Sequence, residues 1–114
     1  MGRMDRLNQY RELIETTLRS LAQVPHRYGQ ISDRVICDRT NDNYLWLAEG
    51  WNKAKRVHHC LVHLEIINGK IWIQKDQLEE GIATYLEEAG VPKQDIVLGF
   101  QHPEARPFTE YAAA

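Results

Sequence analysis

Residues 57–74 read VHHCLVHLEIINGKIWIQ, two apolar runs separated by Asn68-Gly69. A two-residue type I′ turn needs φ > 0 at both central positions, which Asn tolerates and Gly adopts without steric cost. Asn-Gly between such runs therefore predicts a β-hairpin, with Ile67 facing Lys70, Ile66 facing Ile71, Glu65 facing Trp72 and Leu64 facing Ile73. Because side chains alternate along a strand, one face is expected to carry Cys60, Val62, Leu64, Ile66, Ile71 and Ile73. That is a core face, each buried Val, Leu or Ile contributing roughly 1.5 to 3 kcal/mol before entropy is counted. The other face is expected to carry His59, Leu61, His63, Glu65, Trp72 and Gln74. A surface of that kind is solvated, covered by a helix, or an interface.

The rest of the chain fits around this hairpin. From Met4 to about Val24, Leu7, Tyr10, Ile14, Thr17, Leu18 and Leu21 recur at the three- and four-residue steps of one helix face, with Asp5 at its start and Pro25 and Gly29 ending it. Gln30–Asp38 and Tyr44–Glu49 are β-prone by side-chain type, and Arg39 to Asn43 has turn composition between them. Gly50 to Lys55 is expected as a connection into the hairpin. After Gln74 the period lengthens. Asp76 and Glu79 have capping-box spacing, Ile82, Ala83, Leu86 and Ala89 form an apolar stripe, and Gly90 and Pro92 end a short second helix. Ile96 to Phe100 is a further buried run. The expectation is one α+β domain over 1–114: a four-stranded antiparallel β-meander with a long N-terminal and a short C-terminal helix packed on one face. Residues 1–3 read as an extension and 103–114 as an irregular tail.

Composition narrows the function classes. The 114 residues are 43% hydrophobic and 26% charged, with a net charge of -2 from 14 basic and 16 acidic side chains. This is the balance of a single globular domain, without the overall basic field that dominates non-specific nucleic-acid affinity. Cys37 and Cys60 lie in apolar runs and are expected as buried, reduced thiols, in keeping with a cytoplasmic protein. No stretch has the length and apolarity of a membrane span or the layout of a signal peptide.

Little in the sequence points to chemistry. In a helix, His59 and His63 would make a metal pair, but on a strand they stand roughly 13 Å apart at about 3.3 Å per residue. His58 and Cys60 share a face without a second ligand pair, so no metal or cofactor is expected. His63 and Glu65 are expected as members of a polar cross-strand surface, neighbouring Gln74 and Trp72. No activated nucleophile, phosphate loop or paired carboxylates appear, so no catalytic residue is assigned. Lys53, Lys55 and Arg56 form the tight basic cluster, beside Trp51, and are a candidate contact to a phosphate backbone. His59, Leu61, His63, Glu65 and Trp72 are the candidate partner interface, because interface cores are enriched in aromatic residues. An exposed apolar sheet face is also self-complementary in a two-fold homodimer.

Gly50-Trp51, CLVHLEI with NGKIWIQ from Cys60 to Gln74, GVPKQDIVLGF from Gly90 to Phe100, then Pro103, Arg106 and FTE at 108–110, resemble the XisI family from about Met4 to Ala112. These are the fdxN element excision controlling factors found mainly in cyanobacteria. The resemblance implies a small α+β protein that takes part, with a XisH-like partner and a site-specific recombinase, in excising a DNA element during heterocyst differentiation. Strand cleavage would then belong to the recombinase, and the resemblance carries no catalytic residues. Two alternatives accompany this reading: a controlling factor that binds DNA directly, and the regulatory half of a XisH/XisI-type pair unrelated to element excision.

Overall fold

The computed structural model describes residues 3–25 and 29–114, with side chains from Arg6 onward in the first helix. Met1 and Gly2, most of the expected extension, lie outside the described residues, as does the side chain of Asp5.

The hairpin forms in the expected register. Strands β3 (Lys55–Ile67) and β4 (Lys70–Asp76) pair Ile67 with Lys70, Ile66 with Ile71, Glu65 with Trp72 and Leu64 with Ile73. Asn68 and Gly69 take φ of 51° and 78°, as a type I′ turn requires. Upstream, β1 (Gln30–Asp38) and β2 (Asn43–Asn52) pair antiparallel along their whole length, and β2 pairs with β3.

Two helices cover one face of this sheet. Helix α1 (Arg3–Ala22) buries Tyr10, Ile14 and Leu18, the centre of the predicted stripe. Helix α2 (Ile82–Glu88) buries Ile82, Ala83 and Leu86. Both meet Tyr44, Trp46, Val62, Leu64, Ile71 and Ile73 in a single core. The polar ends of this layer are anchored. Arg11 donates Nε and Nη2 to the two carboxylate oxygens of Asp42, at 2.8 and 3.1 Å, and Tyr44 donates its hydroxyl to the same group at 3.0 Å. Arg39 holds Glu15 in the same bidentate way, at 2.7 and 3.1 Å. The Tyr10 hydroxyl donates to Asp95, and burial with that carboxylate pushes its pKa up to about 12.

Several expectations are corrected. The sheet has five strands and is mixed, because β5 (Ile96–Val97) lies parallel to β4. The crossover through α2 returns the chain in the direction it left, so the strand that follows must run parallel. Helix α2 starts at Ile82 rather than near Asp76, and the capping box with Glu79 does not form. Asp76 instead accepts the Leu78 and Ile82 amides, at 3.1 and 2.9 Å, capping the helix from six residues upstream. The expected stop at Gly90 is present: the Val91 amide donates to Leu86 and the Gly90 amide to Glu87, each at 3.0 Å, with Val91 buried, the pattern of a Schellman end. Residues 103–114 stay largely irregular but are fastened, since Ala112 bridges to Val97 and its amide donates to the Ile96 carbonyl at 2.9 Å. Cys37 and Cys60 are free thiols, half-buried rather than fully buried, and desolvation raises both pKa values.

Candidate partner-binding face

The face of the sheet away from the helices carries two cross-strand rows. Register places Ile36 of β1 beside Leu45 of β2, Leu45 beside His63 of β3, and His63 beside Lys75 of β4. The next row runs Asn43, Glu65, Trp72, Val97. Glu65, His63 and Trp72 are therefore brought together as expected, and Leu45, Leu47 and Ile36 join them. The sequence carries no signal for the β2 contribution, because Tyr44 to Ala48 is an unbroken apolar run; only burial alternates, with Tyr44, Trp46 and Ala48 buried and Leu45 and Leu47 half-buried.

Two irregularities rearrange the rest. The register of β2 against β3 shifts between Trp46 and Leu47, making Leu61 the extra residue and setting Cys60 opposite Leu47 and His59 opposite Ala48. His59 thus moves to the helix-bearing side, where it is exposed, and Cys60 leaves the expected core face. A bulge displaces every earlier side chain by one step, and with period two one step exchanges the faces. Leu61 remains half-buried and packs against the core. A second shift after His63 makes Gln74 the extra residue, so His63 faces Lys75, not Gln74.

The polar groups of this face are satisfied among themselves. His63 Nε2 lies 2.8 Å from Asn43 Oδ1, within hydrogen-bond distance for the tautomer protonated at Nε2, and Gln74 Nε2 donates to Glu65 at 3.1 Å. Trp72 is covered by its own chain. The Arg106 guanidinium lies 4.9 Å from the indole centroid and donates to the Gly99 and Gln101 carbonyls, each at 3.1 Å. Arg106–Phe108 form one 3-10 turn, and Phe108 is 91% exposed, with Phe100 half exposed nearby in sequence. This tail contribution has no local signature, because Arg106 lies 34 residues from Trp72.

The basic cluster is not on a connecting loop. Lys55 and Arg56 belong to β3 and Lys53, at φ 57°, to the tight turn at the tip of the β2–β3 ribbon. Lys53, Lys55 and Arg56 are all exposed, and Arg56 also stacks over Trp51 at 5.4 Å and lies 3.9 Å from Glu49. Among the described residues, no three His, Cys, Asp or Glu side chains gather as metal ligands, and no helix is long and apolar enough to cross a membrane.

This architecture has solved counterparts. The fdxN element excision controlling factor XisI from Anabaena variabilis ATCC 29413 is similar at 40% identity and a TM-score of 0.80, over 96% of this chain and 99% of that one. A XisI-like protein from the same organism is similar at 34% identity and a TM-score of 0.85, over 95% of this chain and 99% of that one. No curated protein sequence matches the chain. The XisI protein family model matches residues 4–113. On the match over nearly its whole length, and on the shared fold, the chain belongs to the XisI family.

Proposed function

We propose that the chain is a non-catalytic controlling factor for the excision of a DNA element of the fdxN type, acting through protein contacts with a XisH-like partner and, through it, on a site-specific recombinase. The observation that carries this reading is the helix-free sheet face, which holds His63, Glu65 and Trp72, together with Phe108, 91% exposed and two residues along the chain from the Arg106 that stacks on Trp72. An exposed Phe and a Trp among a few polar groups are the residue types in which interface cores are enriched. The controlling-factor role of the 40% identical XisI supports the biological setting. Co-expression with the XisH-like protein, followed by size-exclusion chromatography with light scattering, tests it. A mixed complex that is lost in Trp72→Ala or Phe108→Ala is expected, while two separate peaks overturn it.

Direct DNA contact is the second reading, supported by Trp51, 51% exposed, beside the exposed Lys53 and Lys55 at the ribbon tip. It requires binding that weakens steeply with salt and disappears when Lys53, Lys55 and Arg56 are all replaced by Ala.

A further inference from the structure

Strand β1 is an edge of the sheet. Among the described residues it pairs only with β2, and does so through nine consecutive pairs without a register shift. Its sequence, QISDRVICD, has no Pro and no Lys, and none of its side chains is buried. Edges of this length are normally broken by bulges, prolines or lysines, since a regular row of unpaired backbone groups is a template for another strand. The opposite edge shows the contrast, because β5 is two residues long and Ala112 pairs against it.

The side chains of β1 indicate which strand fits. For two copies pairing antiparallel about a two-fold axis normal to the sheet, paired residues share a face, so the axis must pass between two residues of the same number. An axis at Arg34 sets two guanidinium groups against each other, and one at Asp33 sets two carboxylates against each other. An axis at Val35 places Arg34 against Ile36. An axis at Ile36 places Arg34 opposite Asp38 of the second copy, twice by symmetry, and Val35 opposite Cys37. It also closes Ile36, 39% exposed, against its own copy. Because Ile36 adjoins Leu45, these two side chains and their copies then form one apolar row across the seam. Arg34 is available to bridge: its side chain is 64% exposed and one nitrogen meets Glu49 at 2.9 Å, leaving other donors of the fork.

We infer that this protein forms a two-fold dimer by antiparallel β1–β1 pairing centred on Ile36, giving one continuous ten-stranded sheet with both open faces on the same side. The two-fold contact therefore uses the edge, and the second copy does not cover the helix-free face. This arrangement is independent of the partner-binding proposal, and a mixed complex built on it contains two copies of this chain.

The test uses the full chain alone, by size-exclusion chromatography with light scattering over a concentration series. The expected result is twice the chain mass for the parent protein and the single chain mass for Ile36→Lys, which sets two ammonium groups on the axis. Circular dichroism checks that the variant is folded. A separate variant does not depend on weakening the dimer: Ile36→Cys in a Cys37→Ser, Cys60→Ser background should give a covalent dimer on mild oxidation, and Ser32→Cys in that background should not. A parent protein that stays monomeric overturns the inference. A dimer that persists in Ile36→Lys, or a failure of Ile36→Cys to cross-link, overturns it as well.

Discussion

Arg106→Ala should loosen the C-terminal segment and uncover Trp72. The guanidinium makes three contacts: the stack on Trp72 at 4.9 Å and hydrogen bonds to the Gly99 and Gln101 carbonyls at 3.1 Å each. A cation–π contact contributes about 0.5 to 1 kcal/mol at an exposed site and about 2 when desolvated, so a half-buried stack is worth about 1 kcal/mol. Hydrogen bonds from a charged donor contribute about 1.5 to 3 kcal/mol when buried, and near the surface about 0.5 to 1 each. The loss for Ala is then about 2 to 3 kcal/mol, which at about 4 °C per kcal/mol for a chain of this length lowers Tm by roughly 8 to 12 °C. Arg106→Lys keeps the charge but not the planar fork, and should lose about half as much. Urea unfolding measures the total. Amide exchange locates it, because the Phe100 amide donates to Ile73 at 3.2 Å and the Ala112 amide to Ile96 at 2.9 Å, both in the segment Arg106 holds. A loss below about 0.5 kcal/mol, with exchange at Phe100 and Ala112 unchanged, would refute the reasoning and leave Arg106 as a surface side chain.

Three further outcomes are expected. Gly50→Ala should cost about 2 to 4 kcal/mol in urea unfolding, since Gly50 has φ of 153° and a Cβ there would lie 2.0 Å from the Gln30 carbonyl oxygen; exchange should rise first at the Gln30 end of β1. Acid should destabilise the protein through Asp42, whose pKa is held below the usual carboxylate value by the Arg11 guanidinium, against the opposing effect of burial. A depressed folded-state pKa means that the stabilisation is fully present above the unfolded value, about 3.9, and is lost as pH falls through the folded one. Asp42→Asn should therefore lower stability at pH 7 and flatten the acid limb of a stability–pH profile, and an unchanged limb would contradict the assignment. Ile14→Ala, at a fully buried position facing the sheet, should cost about 2 to 5 kcal/mol with an unchanged denaturant slope.

What the sequence determined by itself was whatever local chemistry decides. Asn68-Gly69 dictated a type I′ turn, and a two-residue loop leaves one register, so four cross-strand pairs of β3 and β4 were legible in the sequence alone. The three- and four-residue spacing of Tyr10, Ile14 and Leu18 assigned the buried side of α1, and Gly90 its place at the end of α2, for similarly short-range reasons. Glu65 and Trp72 shared a face because they pair next to the hairpin turn, and His63 kept that face because the irregularity between it and the turn inserts its extra residue, Gln74, in β4 and leaves the alternation of β3 intact. His59 did not, because the other irregularity puts its extra residue, Leu61, in β3 itself. A bulge is chosen by how a strand fits its neighbour across the sheet, and nothing within residues 57–63 announces it. The parallel β5, the Arg106 cover on Trp72 and the free edge of β1 are likewise decided at distances the chain does not encode locally. They depend on where α2 returns the chain and on which strand comes first in the order of the sheet. Local propensity specified the elements; only tertiary packing settled which surfaces remain open.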